Sequence, residues 1–196
     1  MAVAAADTQG RILESAWGLV RTRGAAVVTM RDVAEAAGVS RQLVYIHFGD
    51  RAGLLLAMAR HHDERSGFRA RVADTRSLPP AEGLEALLRE WFAYIPEILP
   101  VAAALQAAAA GGDPAAAAWG DRMDDLRAAF RVALARLRRG GRLNTAWTVE
   151  AAADWVWSRS HLSAWQQLVG ERGWSTGRFV ERSVRSILSE LVVPAP

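Results

Sequence analysis

At 196 residues, with 24 arginines, no lysine, 21 acids and a formal charge of +3, the chain is long enough for a sizeable core and too balanced to hold a polyanion by bulk charge. Cysteine is absent, which excludes disulfides and thiolate metal sites and fits the reducing cytoplasm, the expected location. No glycine-rich phosphate loop, His-x-x-x-His pair or nucleophile beside a base marks an enzyme, so no catalytic residue, cofactor or metal is expected.

Residues 1–6 read as a disordered tail without the basic segment of a signal peptide. Asp7 or Thr8 opens a first helix to about Arg23, with Ile12, Ala16, Leu19 and Val20 on its buried face and Gly24 as its stop. After a short link, Thr29 stands where an N-cap belongs, with Asp32 three residues on. Val33, Ala34 and Ala37 share one face of the helix it opens, and Gly38 supplies a left-handed stop. Ser40 then caps RQLVYIHF, which buries Val44 and Phe48 and turns Arg41, Gln42, Leu43, Tyr45 and His47 outward or along the rim. A small residue, a glycine turn and an apolar anchor in this order describe a helix-turn-helix, whose second helix can enter a major groove. That helix carries guanidinium, amide, phenol and imidazole groups and no acid, which suits base edges and phosphates. Residues 1–65 hold eight Arg against seven acids, so binding has to rest on local placement of these groups.

From Ile12 to Leu56 the chain resembles the DNA-binding domain of the TetR (tetracycline-repressor-like) family, through ILESAWGLVRTRG, TMRDVAEAAGVS and LVYIHFGDRAGLL. The family's Tyr-x-His/Tyr-Phe ending and following cap correspond to Tyr45, His47, Phe48 and Asp50. Arg51 stands where a lysine is usual, and Leu43-Val44 where Thr-Leu is frequent. The resemblance implies a bacterial transcriptional regulator: a DNA-binding domain at 1–49 and a helical effector-binding and dimerisation domain at 50–196. Arg41, Gln42 and Tyr45 are the expected readers of the operator, with Thr29, His47 and Arg51 on phosphates. Arg31, Ser40 and Leu43 complete the expected DNA-binding set.

Beyond the motif, Asp50 caps a long helix expected to reach about Val72. His61 and Glu64 lie one turn apart, but two such residues without a third describe a solvated face better than a metal site. Thr75–Pro80 reads as a linker, followed by a helix from Ala81 to about Tyr94. Pro96 and Pro100 are expected to break the chain before an alanine-rich helix to Ala110, which is too interrupted to span a membrane. Asp113-Pro114 opens a helix to about Arg139 with Trp119, Met123, Leu126, Phe130, Leu134 and Leu137 at helical spacing. Arg136, Arg138 and Arg139 in its last turn suit the helix dipole better than a second DNA patch. Thr148 caps a helix to about Val169, and Ser175 or Thr176 opens the last one, closed by Pro194. The expected fold is all-α, with about nine helices.

Seven of the eight tryptophans follow the motif. Trp91, Tyr94, Trp119, Met123, Phe130 and Trp157 are candidate lining for an apolar or aromatic effector, set against the alternative that they only fill a core. The Thr148–Val169 helix is apolar on two sides, which predicts a homodimer through Trp155, Leu162, Trp165, Val180, Val184, Ile187, Leu188 and Leu191. Two functions remain open: a repressor released from an inverted-repeat operator on double-stranded DNA by a small molecule, or a DNA-binding regulator without a ligand, controlled by a protein partner or by abundance.

Overall fold

The computed structural model describes residues 2–24, 27–110 and 115–194. Its α-helices are α1 (Ala2–Arg23), α2 (Met30–Ala37), α3 (Arg41–Phe48), α4 (Arg51–Arg65), α5 (Phe68–Asp74), α6 (Pro80–Ala110), α7 (Ala115–Arg139), α8 (Val149–Arg159), α9 (Leu162–Trp165) and α10 (Thr176–Leu191). No strand forms among the described residues, and one antiparallel bridge joins Leu143 to Val192. None of the described helices is long and apolar enough to cross a membrane. The Gly111–Pro114 boundary, with its expected Asp113 cap, lies outside the described residues.

The chain forms two compact units, Met1–Ser66 with Glu97–Gly120, and Gly67–Pro96 with Asp121–Pro196. In the first unit, Ile12, Leu13, Ala16 and Val20 of α1, Leu54, Leu55 and Met58 of α4, and Ile98, Val101 and Leu105 of α6 are all buried. Polar contacts reinforce the seam between α1 and α4. His61 Nε2 lies 3.0 Å from Glu14, Arg65 reaches the same carboxylate at 3.1 Å, and the His62 ring stacks on Trp17 at 4.4 Å. In the second unit, Leu84, Leu88, Phe92 and Ile95 of α6, Phe130 and Leu134 of α7, Val156 of α8 and Phe179 of α10 are buried, with Phe92 set edge-on to Phe179 at 5.5 Å.

Four boundaries differ from expectation, each for a local reason. Residues 2–6, read as a tail, already belong to α1. The helix from Asp50 stops at Arg65, because Gly67 adopts φ 70° and starts α5 afresh. Pro96 and Pro100 do not interrupt α6. Each removes one N–H donor, yet Ile95, Ile98, Val101 and Ala102 around them are wholly buried, and that burial carries the helix through. The expected 148–169 helix breaks after Arg159: the Ser160 hydroxyl bonds back to Val156 O and the Ser160 carbonyl accepts the Trp91 indole N–H at 2.9 Å. His161 is therefore extended, and the chain restarts as α9 followed by a π-helical stretch, Gln166–Glu171.

The segment after α7 is stitched to the end of α10. Asn144 N donates to Leu191 O at 2.8 Å and Val193 N to Arg142 O at 2.9 Å, while the Arg142 and Asn144 side chains reach Val193 O and Glu190 O.

Candidate nucleic-acid interface

The motif is built by caps. The Thr29 hydroxyl accepts from Asp32 N, and the Asp32 carboxylate accepts in turn from Thr29 N at 2.9 Å, a complete capping box. The Thr29 hydroxyl and backbone N–H, with Arg23 and Arg31 nearby, hold the Asp32 carboxyl below the usual aspartate range. At the other end of α2, Gly38 sits at φ 65° while its N–H and that of Val39 reach back to Glu35 O and Ala34 O. Ser40 then caps α3 through Leu43 N. Only Val44 and Phe48 of α3 are buried.

The junction into α4 is tighter still. Gly49 has φ 74°, and Asp50 caps α4 by accepting from Gly53 N at 2.7 Å. A Cβ on Gly53 would lie 2.1 Å from Phe48 O, so only glycine fits there. In the sequence, the one signal of Gly53 is its place three residues after a capping aspartate.

Thr29, Arg31, Ser40, Arg41 and Gln42 are exposed, as is Tyr45; Leu43, His47 and Arg51 are half-buried. The folded chain gathers five of these along one open groove, lined by Thr29, Arg31, Arg41, Tyr45 and Arg51 beside the carboxylates of Asp32 and Asp50. Arg41 reaches the Tyr45 hydroxyl at 3.2 Å with its guanidinium 5.3 Å from the ring, and Arg51 Nε donates to Val28 O at 3.2 Å. Two arginines are thus pre-oriented along this groove, Arg41 at the start of α3 and Arg51 at the start of α4. Gln42, Leu43 and His47 do not line this groove. Ile46, outside the expected DNA-binding set, stands 70% exposed on α3.

Residues 12–58 match the family model of bacterial regulatory proteins of the tetR family. ArpR, a probable HTH-type transcriptional regulator of Pseudomonas putida, is 34% identical over 45% of this chain, a stretch that spans only 42% of ArpR. AcnR of Corynebacterium efficiens, an HTH-type transcriptional repressor, is 33% identical over 156 residues, 74% of this chain and 76% of AcnR. This chain belongs to the TetR family. In fold, it matches a transcriptional-regulator structure from Saccharomonospora viridis in complex with choline, with TM-score 0.79 and 20% identity over 96% of this chain and all of the other. TetR-family proteins are DNA-binding transcriptional regulators, not enzymes, and their helix-turn-helix occupies the segment whose caps are described above.

Outside the motif, Trp91, Tyr94, Met123 and Phe130 are buried in the second unit, where Trp157 is half-buried and its indole N–H bonds Met123 O at 2.9 Å. Phe68 stacks on Tyr94 at 4.1 Å. Trp119 belongs to the first unit. Of the eight residues expected at a dimer face, Leu162, Val184, Ile187 and Leu191 are buried inside the chain itself, because α8 to α10 use them for their own core. Trp155, Trp165, Val180 and Leu188 stay half-exposed.

Proposed function

We propose that the chain is a homodimeric repressor that reads an inverted-repeat operator with α3 and releases it when a small apolar or aromatic molecule enters the helical body. The carrying observation is that α3, capped at Ser40, exposes Arg41, Gln42 and Tyr45, keeps His47 half-exposed and carries no acid. In this reading Arg41, Gln42 and Tyr45 meet base edges. Thr29, Arg31, Ser40, His47 and Arg51 frame the phosphates, with Leu43 at the rim. Residues 1–49 serve DNA binding and 50–196 serve dimerisation and effector binding.

The dimer is formed through the half-exposed side chains of α8 to α10, namely Trp155, Trp165, Val180 and Leu188, in a contact between identical faces. It would set two recognition helices about 34–36 Å apart, one DNA turn. The effector site draws on Trp91, Tyr94, Met123, Phe130 and Trp157 of the second unit. The choline bound to the Saccharomonospora viridis protein supports a body of this architecture that accepts a small molecule. Induction requires that the ligand prefer the state that does not bind DNA, by about 1–3 kcal/mol for a 5–150-fold loss of operator affinity. The deep burial of Tyr94 and Phe130 favours the second reading, a regulator with no small-molecule ligand, to the extent that these rings serve only as core.

Selection of duplexes from a randomised pool by the full-length chain tests the proposal. Enrichment of one inverted repeat, bound by a sedimenting dimer, is the expected result; enrichment of nothing overturns it. Charges placed at Val180 and Leu188 should yield folded monomers. Tryptophan fluorescence then separates the two regulators: an effector should change emission and release DNA over one concentration range, and a metabolite library that does neither leaves the ligand-free regulator standing.

A further inference from the structure

An α-helix turns 100° per residue. On α3, Val44 and Phe48 are buried and define one side. Ile46 then falls about 180° from their midline and Gln42, one turn earlier, only about 40° from Ile46. The crest of the recognition helix is therefore an amide beside an aliphatic group. Arg41 and Tyr45 lie on the flank, facing the groove they share with Thr29, Arg31 and Arg51. Exposure agrees with this geometry: Ile46 is 70% exposed, above the other exposed large hydrophobic side chains Val27, Tyr45, Leu78 and Val132.

Isoleucine is a poor choice for that position on folding grounds. Its branched Cβ is restricted in a helix, and its apolar surface gains nothing from water. A single exposed aliphatic needs no explanation on an ordinary surface. Ile46, however, is centred on the face of α3 that points away from the core. In the major groove the base-edge group that complements an aliphatic side chain is a pyrimidine C5-methyl, and the group that complements a glutamine amide is the N6/N7 edge of adenine.

We infer that Ile46 reads the C5-methyl group of a pyrimidine in the major groove, at a step neighbouring the base pair met by Gln42. The inference rests on the DNA-binding reading proposed above. Two nucleotides present this group, thymine and 5-methylcytosine.

The test starts from the duplex enriched by the full-length chain. Each thymine of one half-site is replaced in turn by deoxyuridine, which removes the methyl and keeps every hydrogen-bonding group. Each cytosine is separately replaced by 5-methylcytosine. Wild-type protein should lose about 3–10-fold in affinity at one thymine, as expected for one methyl returned to water, or gain as much at one cytosine. The first result identifies thymine as the reader's target and the second a methylated cytosine. Ile46→Ala should bind the methyl-bearing duplex correspondingly more weakly and lose its sensitivity to that one substitution, while Ile46→Val retains it. The melting temperature of Ile46→Ala should equal or slightly exceed that of wild type, since the side chain is exposed and alanine is the better helix former. An enriched duplex indifferent to every methyl change, or an Ile46→Ala protein as methyl-sensitive as wild type, overturns the inference alone. A pool that enriches nothing overturns the DNA-binding reading, and the inference with it.

Discussion

Helix α3 has eight residues and buries two of them; α6 has 31 and buries an apolar side chain at almost every turn from Leu84 to Leu105. The first is held by its ends. Ser40 caps it, Gly49 closes it, and the capping box of α2 sets the turn that delivers it. The second ignores its own local signals and runs through two prolines because its faces are buried. A short helix has too few internal hydrogen bonds to persist without caps and neighbours, whereas a long buried one tolerates a missing donor. The consequence is a division of chemistry. Side chains of α3 are left free to face outward, and those of α6 are committed to packing.

Five substitutions break or sharpen this contrast. The largest effect belongs to the packed region: Phe92→Ala removes a wholly buried ring set against Phe179 and should destabilise by about 3–5 kcal/mol in denaturant unfolding. A loss near zero there would mean that packing does not carry the second unit. Next is Gly53→Ala at the α3–α4 junction, where the new methyl meets Phe48 O. We expect about 1–3 kcal/mol of destabilisation or more, with weaker DNA binding because α3 must shift.

Thr29→Ala dissolves the capping box and should lower stability by about 1 kcal/mol, leaving the second unit untouched. The pH dependence has a definite sign. The Asp32 carboxyl is held below its ordinary value by Thr29, so its contribution is complete above the usual aspartate range and fades as pH falls below it. Asp32→Asn should remove that acid sensitivity, which acid titration followed by circular dichroism would register. The smallest effect is a gain. Gly18 lies inside α1 with nothing within 4 Å of a prospective Cβ, and Gly18→Ala should stabilise by about 0.5–1 kcal/mol. The opposite signs at Gly18 and Gly53 separate a glycine the helix merely tolerates from one the backbone requires.

The same contrast governs what was legible in the sequence. Thr29, Asp32, Gly38, Ser40 and Asp50 act on backbone within a few residues of themselves, so α2, α3 and the start of α4 were read to the residue. The path of α6 through Pro96 and Pro100 depends on burial contributed by distant segments, and no local rule contains it. The break after α8 depends on the Trp91–Ser160 bond, which joins residues far apart in the chain. Leu162, Val184, Ile187 and Leu191 were expected at a dimer face and are buried within the chain, because periodicity marks apolar sides without saying which of them the chain covers itself. Among the DNA-binding candidates, placement on the motif was legible. The split of α3 into a flank of Arg41 and Tyr45 and a crest of Gln42 and Ile46 required angles as well as residue types.

The stitch between residues 142–144 and the end of α10 turns everything from α8 onward into a closed loop. Closing such a loop removes conformations from the opened chain, a saving that grows only with the logarithm of loop length. Helix ends ordinarily fray first and exchange their amide hydrogens fastest. Here the last turn of α10 is clamped, so the Val193 and Asn144 amides should exchange nearly as slowly as those at the centre of the helix. A C-terminal fusion would then load this clamp directly, and one that pulled it open would free α10 from its final turn inward.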